Sequence, residues 1–496
     1  MTAASLPAAF PVTLVGHPFA TVGMGEQLRS HIAACQAVHL PHAVLDIYRY
    51  ASRSDPDHRK LVGNSETNVP SGGIRIFHVN GDEVESVIRA FEARGGTFAD
   101  GYNIIVPAWE LPEYPLPWAE QLRKFNEIWA LSAFIKESLA AVGLSSLLIG
   151  QAVEVPLGHF LPRKYFGIKE SAFTILHFFD LSSFASRKNP NAVLDMYEAI
   201  KAKREYEDIQ LVLKVKKGDE DGEEWIAPLR DRVPEACFLS KPMSSLETRS
   251  LINCCDCFVS LHRAEGFGRG TGEAMFMGRL AMATAWSGNL DYMTKENSLL
   301  VDYDLIPVGA DEYPFGKNQR WANARVSHAV ELLDAAIGDL EATRIMAANG
   351  RRTIRMDHGY RAVGVRVLDR VSAIIEFMSI IEKPLRAVAI VEEASIDGVS
   401  VGDDAPADVV FTVQETLIEV VSPVDETPAD WAVAEESGVS ETIARPVETQ
   451  GPSITPFKRG RKAPSARTRK RLGRMDQADP SLGIAERVKE PAGVAD

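Results

Sequence analysis

Long apolar runs are lacking in this chain of 496 residues. No stretch reaches the roughly 18 consecutive apolar residues that a membrane-spanning helix needs, so none is predicted. The N-terminal segment has no basic residues ahead of its short apolar stretch, which Pro7 and Pro11 interrupt, and this disfavours a secretory signal peptide. We therefore expect a cytoplasmic protein.

Cysteine is also scarce. The chain has five cysteines, an odd number that disfavours a disulfide framework. Three of them cluster in NCCDCF (253–258), but no second Cys or His pair stands nearby at the spacing of zinc ligands. The sequence predicts buried thiols at the start of a strand and no metal.

The net charge of −14 is unevenly distributed along the chain. Residues 391–450 contain fifteen Asp or Glu and one Arg, whereas residues 451–475 contain nine Lys or Arg and no acid. Neither stretch could bury enough apolar surface to order itself, so 386–496 is predicted to be a disordered tail, first acidic and then basic. The basic part, 458–474, suggests peripheral contact with an anionic surface such as the inner membrane face, and a solvated tail that folds back on the acidic stretch is the alternative. Apart from Phe457 it has no interleaved aromatics, so no specific nucleic-acid partner is expected.

Ahead of the tail, strand-like apolar runs alternate with helical patterns, which predicts an α/β fold. One set of strands and helices starts at VTLV (12–15), and a second set starts at FTILHFF (173–179). The second set includes a predicted helix that starts at Trp321, with the sequence WANARVSHAVELLDAAI. The segment QAVEVPLGHFLPRKYFG, with two prolines and two glycines, separates the sets. We predict two doubly wound, Rossmann-like domains, 1–160 and 161–385, that face each other across a cleft where ligands bind.

The segment HRAEGFGRGTGEAM (262–275) follows the strand-like run CFVSL and precedes a short helical pattern. Glycines let a backbone approach a ligand closely, and a helix N-terminus favours phosphate. Glu273, in the first helical turn, suits the two hydroxyls of a ribose, and Glu265 would reach sugar hydroxyls beyond a diphosphate. Taken alone, however, two glutamates at this spacing occur by chance in most proteins, and a glycine-rich turn is more often only a turn.

The wider stretch DCFVSLHRAEGFGRGTGEAMFMGRLAMATAWSGNLDYM resembles the signature segment of the retaining nucleotide-sugar glycosyltransferases, family 4, whose two glutamates are separated by seven residues. Further segments resemble that family in the same order along the chain: VGMGEQLRS, EIWALSAFIKESL, FDLSSFASRKNP, LVLKV, and NSLLVDYDLIPVG with WANARVSHA. The resemblance spans most of residues 10–375. It implies the GT-B fold and transfer of a sugar from a nucleotide-sugar, as co-substrate, to an acceptor hydroxyl with retention. It also implies no cofactor and no essential metal.

Carried over to this chain, the resemblance implies that Glu273 holds the ribose and Glu265 the donor sugar. The amides of Gly266, Phe267 and Gly268 would meet sugar or phosphate oxygens.

Lys188 matches the family lysine that neutralises the diphosphate leaving group. The family often has an arginine six residues earlier, where this chain has Ser182, so Arg187 or Lys214 is the candidate for the second positive charge. Arg269 stands where relatives usually have apolar residues. It is either an extra phosphate ligand or part of a weakened, glycine-rich helix start.

In the first domain, Gly23 and Gly25 begin a helix that the resemblance places near the donor phosphates or the acceptor, with Arg29 one turn along. The motif lacks the third glycine of a dinucleotide fingerprint, and a simple helix start is the alternative. Trp109 and Glu110 follow a strand and suit an acceptor platform, with a sugar stacked on the indole. Packing of the indole is the alternative.

The remaining candidates are predicted to be structural. His17, His177 and His262 lie near strand ends, where a lone histidine usually has a hydrogen-bonding role. The acidic pairs DPD (55–57) and DYD (302–304) are not predicted to bind metal.

The sequence thus predicts a cytoplasmic retaining glycosyltransferase of polysaccharide or glycoconjugate synthesis, with a glycan or glycolipid acceptor. Within enzymes, a GT-B phosphorylase or a sugar-nucleotide epimerase is the alternative. If the protein is not an enzyme, the alternative is a non-catalytic nucleotide- or glycan-binding adaptor with a polyanion-binding tail.

Overall fold

A computed structural model of the chain describes residues 11–48, 55–70, 72–204, 208–216 and 222–396. The predicted tail beyond Ile396, including its basic segment 458–474, lies outside the described residues. Within these ranges, no helix is both long enough and apolar enough to cross a membrane.

The first domain is built on a parallel sheet of seven strands in the order β3-β2-β1-β4-β5-β6-β7. The strands are β1 (Val12–Gly16), β2 (His42–Asp46), β3 (Glu66–Thr67), β4 (Gly73–Phe77), β5 (Gly101–Ile105), β6 (Glu127–Ala130) and β7 (Leu147–Leu148). The helices are α1 (Gly23–Ala37), α2 (Pro56–Val62), α3 (Val84–Glu92), α4 (Leu116–Leu122) and α5 (Ala133–Ala140). The strand order reverses at β1, as in a doubly wound sheet.

The second domain repeats this plan with six parallel strands in the order β10-β9-β8-β11-β12-β13. The strands are β8 (Phe173–Asp180), β9 (Ile209–Lys216), β10 (Cys237–Leu239), β11 (Cys257–Ser260), β12 (Leu280–Thr284) and β13 (Leu299–Val301). The helices of this domain are α6 (Ala185–Lys188), α7 (Pro190–Lys203), α8 (Gly222–Arg232), α9 (Ser245–Cys254), α10 (Arg269–Phe276), α11 (Val326–Gly338) and α12 (Leu340–Asp357), and a last helix, α13 (Tyr360–Ile396), follows them. An antiparallel pair, β14 (Tyr303–Pro307) and β15 (Arg320–Ala324), forms a hairpin.

Apolar residues of the second sheet point alternately to its two faces. Along β9, Leu211 and Leu213 join one buried cluster while Val212 joins another, as the two-residue period of a strand requires. The first sheet contributes to a core of its own. This arrangement confirms the predicted α/β architecture of two doubly wound sheets.

Helix α13 returns to the first domain. Val363, Val367 and Val371 are spaced four apart and therefore line one helical face, which packs into the core of the first sheet and against α1. The sequence pattern places this stretch, up to 385, in the second domain, whereas the structure packs it on the first. The helix also continues to Ile396, so the start of the predicted tail at 386 is helical.

The predicted helix start at Trp321 is wrong. Trp321–Ala324 pairs with β14 as strand β15, and helix α11 begins only at Val326. The Trp321 side chain is fully buried beneath the hairpin, so strand pairing and burial outweigh local helical preference.

Candidate active site

The candidate site lies at the switch point of the second sheet. Strands β8 and β11 are neighbours in that sheet, and the chain leaves them towards opposite edges. In such sheets, a crevice opens beyond the carboxyl ends of these two strands. Lys188 follows β8 and Glu265 follows β11, so both reach this crevice.

The short helix α6, which carries Arg187 and Lys188, is bracketed by strained backbone. Phe184 before it has φ of 63° and Asn189 after it has φ of 52°, both in the left-handed region. Each such non-glycine residue costs about 1–3 kcal/mol and persists only where the surroundings hold it. The Asn189 side-chain amide helps to stabilise this conformation by donating to the Leu261 carbonyl at 3.0 Å. Strain of this kind is concentrated at functional sites.

Glu265 sits between the two cations of α6. Lys188 Nζ donates to Glu265 Oε1, and Arg187 donates to Glu265 Oε2 at 3.2 Å. Burial alone would raise the pKa of the Glu265 carboxyl, but attraction to Lys188 and Arg187 outweighs it and lowers that pKa to about 2. Burial lowers the pKa of Lys188, and Glu265 opposes that change. The site therefore holds ionised groups of both signs in a largely buried environment.

The loop that presents Glu265 is fixed by the loop after β12. Glu265 N donates to Ser287 Oγ at 2.9 Å, and Gly288 N donates to the Glu265 carbonyl at 3.0 Å. A Cβ on Gly288 would lie 2.0 Å from the Gly266 carbonyl oxygen, so only glycine fits there. Ser287 itself has φ of 75°, another strained residue beside the site.

The predicted ligand-facing amides belong to Gly266, Phe267 and Gly268. Within the described part of the chain, none of these three amides donates to a protein acceptor. Gly268 has φ of 84° and precedes α10, whose N-terminus faces the same loop. The Phe267 side chain is buried against Tyr292 and has no exposed face for a ligand. Main-chain amides without protein acceptors next to a helix N-terminus are a common feature of anion-binding loops.

Glu273 and Arg269 form a second ionic cluster that bridges the domains. Arg269 donates to Glu273 at 2.8 Å, to Ser30 Oγ of α1 at 2.6 Å, and pairs with Glu26 of α1 at 2.9 Å. Burial raises the pKa of Glu273 despite Arg269, whereas Arg269 and Arg29 overcome burial at Glu26 and lower its pKa to about 2. The guanidinium of Arg269 is thus held by protein groups on three sides.

The glycine loop of the first domain is a tightly packed helix start. A Cβ on Gly25 would lie 2.3 Å from the Ala20 carbonyl oxygen, whereas one on Gly23 would meet nothing within 4 Å. Arg29 is held by Glu26 and by the carbonyls of Pro18 and Ala20. Gly25 and Arg29 therefore have clear structural roles here.

Trp109 and Glu110, predicted to form one acceptor platform, have different environments in the structure. Trp109 is only 2% exposed and donates its indole N–H to the Glu113 carbonyl at 2.7 Å, so it is a packing residue and offers no face for a sugar. Glu110 points to the ionic site, where it lies 3.6 Å from Arg187 and accepts a hydrogen bond from Tyr313. Sequence reasoning did not find Tyr313.

Among the two candidates for a second cation, Arg187 is the one that contacts Glu265. Lys214 lies on β9 and donates to the Lys241 carbonyl at 3.2 Å instead.

The histidines considered from sequence have structural partners. His177 is fully buried against the Val259 carbonyl at 2.8 Å, and burial lowers its pKa to about 4. His262 contacts the Trp286 carbonyl, and His17 contacts Glu83.

The acidic pairs and the cysteines also have ordinary partners. Asp55 caps α2, and Asp304 pairs with Arg325. Cys254, Cys255 and Cys257 are free and buried. Across the described ranges, no group of three or more His, Cys, Asp or Glu side chains is arranged to hold a metal ion.

A cavity of about 550 Å³ lies at the opposite edge of the second sheet, beside Phe173 and Leu280 at the starts of β8 and β12. Two of its four arginines have ion-pair partners: Arg163 pairs with Asp256, and Arg344 pairs with Glu341. We assign the candidate chemistry to the cleft edge because the cluster of Lys188, Arg187 and Glu265 lies there.

Comparison with known proteins shows the fold. No protein-family model matches the chain, and no curated protein sequence matches it. The solved structures it resembles include HepE of Anabaena in complex with UDP and glucose, at 13% identity and a TM-score of 0.53, covering 73% of this chain and 100% of that one. A glycosyltransferase from Rickettsia africae is similar at 12% identity and a TM-score of 0.53, covering 74% of this chain and 99% of that one. The chain therefore has the GT-B fold that these glycosyltransferases share.

Proposed function

We propose that this protein is a retaining glycosyltransferase that transfers a sugar from a nucleotide-sugar donor to an acceptor hydroxyl. The observation that carries the proposal is the buried cluster of Lys188, Arg187 and Glu265 at the switch point of the second sheet. Cleavage of a nucleotide-sugar leaves a diphosphate, and fixed cations aimed at that developing charge are the largest catalytic contribution such a site can make.

Each residue then has a defined role. Lys188 and Arg187 neutralise the leaving diphosphate. Glu265 holds both cations in place and accepts hydrogen bonds from hydroxyls of the donor sugar. The main-chain amides of 266–268 bind phosphate or sugar oxygens, and Glu273 binds the ribose once Arg269 releases its carboxylate. The leaving phosphate accepts the acceptor proton on the same face, so retention needs no protein nucleophile and no metal.

The acceptor side is assigned to the first domain, around Glu110. Polysaccharide or glycoconjugate synthesis in the cytoplasm fits a glycan or glycolipid acceptor, with 458–474 as a contact to an anionic membrane face. The HepE complexes with UDP and with UDP-glucose make UDP-sugars the first donors to try.

The test is product analysis with a panel of UDP-, GDP- and ADP-sugars and candidate acceptors. We expect one donor to release nucleoside diphosphate and to give an acceptor glycoside whose anomeric configuration, read by NMR, matches the donor. Lys188→Ala should lower kcat about 100-fold or more, because it removes one charged donor from a largely buried site. Lys295→Ala, the same change at an exposed turn, should not alter kcat.

The alternatives give different products. An epimerase would interconvert nucleotide-sugars without an acceptor, and a phosphorylase would need inorganic phosphate and form a sugar 1-phosphate. Nucleotide binding without turnover of any donor would favour the adaptor. An inverted product would contradict retention, and activity lost with EDTA and restored by a divalent cation would contradict metal independence.

A further inference from the structure

The loop between β14 and β15, residues 308–319, crosses from the second domain to the first. Phe315 packs edge-on against Trp118, with ring centroids 5.3 Å apart. Gln319 accepts a hydrogen bond from Glu113 N at 2.9 Å and donates to the Glu113 carbonyl at 3.2 Å. The hairpin loop is therefore anchored on the first domain beside the cleft.

Tyr313 of this hairpin loop contacts both domains at the ionic site. Its hydroxyl donates to Glu110 of the first domain. Its ring packs against Phe184, at 4.9 Å between centroids, and the Arg187 guanidinium lies 5.9 Å from the ring centroid. Phe184 is the strained residue immediately before α6, and Arg187 lies within α6, so Tyr313 braces the helix that carries Lys188.

Glu110 links Tyr313 to the ionic cluster of Arg187, Lys188 and Glu265. One Glu110 oxygen accepts from Tyr313, and the other lies 3.6 Å from Arg187. Arg187 in turn donates to Glu265 at 3.2 Å. Burial and the charge of Glu110 raise the pKa of the Tyr313 phenol, so its hydroxyl remains a donor at neutral pH. Without that hydroxyl, Glu110 would keep only the longer contact to Arg187.

We propose that Tyr313 is a positioning residue for sugar transfer: by holding Glu110 against Arg187, it aligns the Arg187, Lys188 and Glu265 cluster for cleavage of the donor. The inference rests on the proposed function and adds to it a part for the hairpin loop. Because the hairpin loop crosses to the first domain, assembly of the reactive geometry requires both domains to be in contact. Glu273 and the loop amides bind the donor without this contact, so donor binding should depend on Tyr313 less than bond cleavage does.

The test is a double-mutant cycle between Tyr313→Phe and Glu110→Gln, read as kcat and, separately, as the dissociation constant of the nucleoside diphosphate product. Tyr313→Phe keeps the ring and removes only the hydroxyl. We expect kcat to fall about tenfold or more, because the lost hydrogen bond is to a charged group. The dissociation constant should rise by a smaller factor, because Lys188 stays in place and the loop amides do not use this contact. The double variant should be no slower than the slower single variant, because both changes weaken the same contact between Tyr313 and Glu110.

Tyr303→Phe is the matched control, since Tyr303 begins the same hairpin and its ring packs on Trp286. It should retain wild-type kcat. If Tyr313→Phe does not fold, as judged by circular dichroism, Glu110→Gln reports the same contact from the other side. A wild-type kcat in Tyr313→Phe or Glu110→Gln, additive losses in the double variant, or a parallel loss of nucleotide affinity would overturn the proposal while leaving the transferase activity established. A wild-type protein inactive on every donor would instead overturn the proposed function and this inference with it.

Discussion

At the scale of single residues, Glu265 has the most consequential environment. It is nearly enclosed, with its side chain 11% exposed, yet two cations keep it ionised. A carboxyl of this kind stabilises the fold only while it is charged. Removing its charge would leave Lys188 and Arg187 buried with fewer anionic partners, a loss larger than that of an exposed ion pair.

The depressed pKa of Glu265 predicts a specific acid sensitivity. Its contribution is fully present above the ordinary glutamate value of 4.5 and is lost as the pH falls towards 2. Between pH 5 and pH 3, the loss should be on the order of 1 to 2 kcal/mol in the free energy of unfolding. Urea unfolding of the wild type and of Glu265→Gln at both pH values measures it. The variant should lose less stability across this range than the wild type, whereas Glu92→Gln, at an exposed surface carboxyl, should follow the wild type. Equal losses in the wild type and Glu265→Gln would mean that Glu265 is not held ionised by its neighbours.

The sequence identified individual site residues unevenly. Motif position and strand ends predict Lys188, Glu265 and Glu110 as site candidates, and the structure brings these three side chains close together around Arg187. The burial of Trp109 could not be predicted from the sequence. An aromatic residue after a strand is typical of both a core and a binding platform, and only the packed neighbours decide between them.

At the scale of elements, the site depends on close approach of two loops. The loop after β11 presents Glu265, and the loop after β12 supports it through Ser287 and Gly288. A side chain at Gly288 has no room, because the Gly266 carbonyl occupies that position.

Gly288→Ala should therefore destabilise the protein by about 2 kcal/mol or more, since a rigid backbone contact must move. It should also weaken nucleotide binding, because the displaced loop carries the amides of 266–268. Gly158→Ala, where a Cβ meets nothing within 4 Å, is the matched control and should stay within about 0.5 kcal/mol of the wild type. Thermal unfolding and nucleotide titration measure both effects. A Gly288→Ala variant as stable as Gly158→Ala would show that the two loops are not in contact.

Elements with a local pattern were predicted well, and elements that depend on distant contacts were not. Buried runs such as Cys257–Ser260 carry their own signal. Strand β15 does not, because it is a strand only through pairing with β14. Tyr313 could not be assigned to the site for the same reason: its place depends on the hairpin loop reaching Glu113 on the first domain.

At the scale of the whole molecule, α13 joins the end of the described chain to the first domain. Val363, Val367 and Val371 are at most 3% exposed and share a core with Leu28 and Ile32 of α1. The first domain is therefore completed by a segment that follows the second in sequence.

Two truncations test this dependence. A chain ending at Ile396 keeps every described contact and should unfold at the wild-type temperature. A chain ending at Gly359 lacks α13, exposes the apolar face of α1, and should lose cooperative unfolding of the first domain. Val367→Ala in the full chain should cost about 2 kcal/mol through a core cavity. Thermal melts followed by circular dichroism distinguish these cases. An unchanged melt for the chain ending at Gly359 would contradict the assignment of α13 to the first core.

The central claim is that the cleft edge of the second sheet binds the diphosphate of a nucleotide-sugar through Lys188. Isothermal titration of UDP, GDP and ADP into the wild type, Lys188→Ala and Lys295→Ala tests it most directly. We predict that one nucleotide binds the wild type and Lys295→Ala equally and binds Lys188→Ala at least tenfold more weakly. Failure of all three nucleotides to bind the wild type, or equal affinity in Lys188→Ala, would contradict the claim.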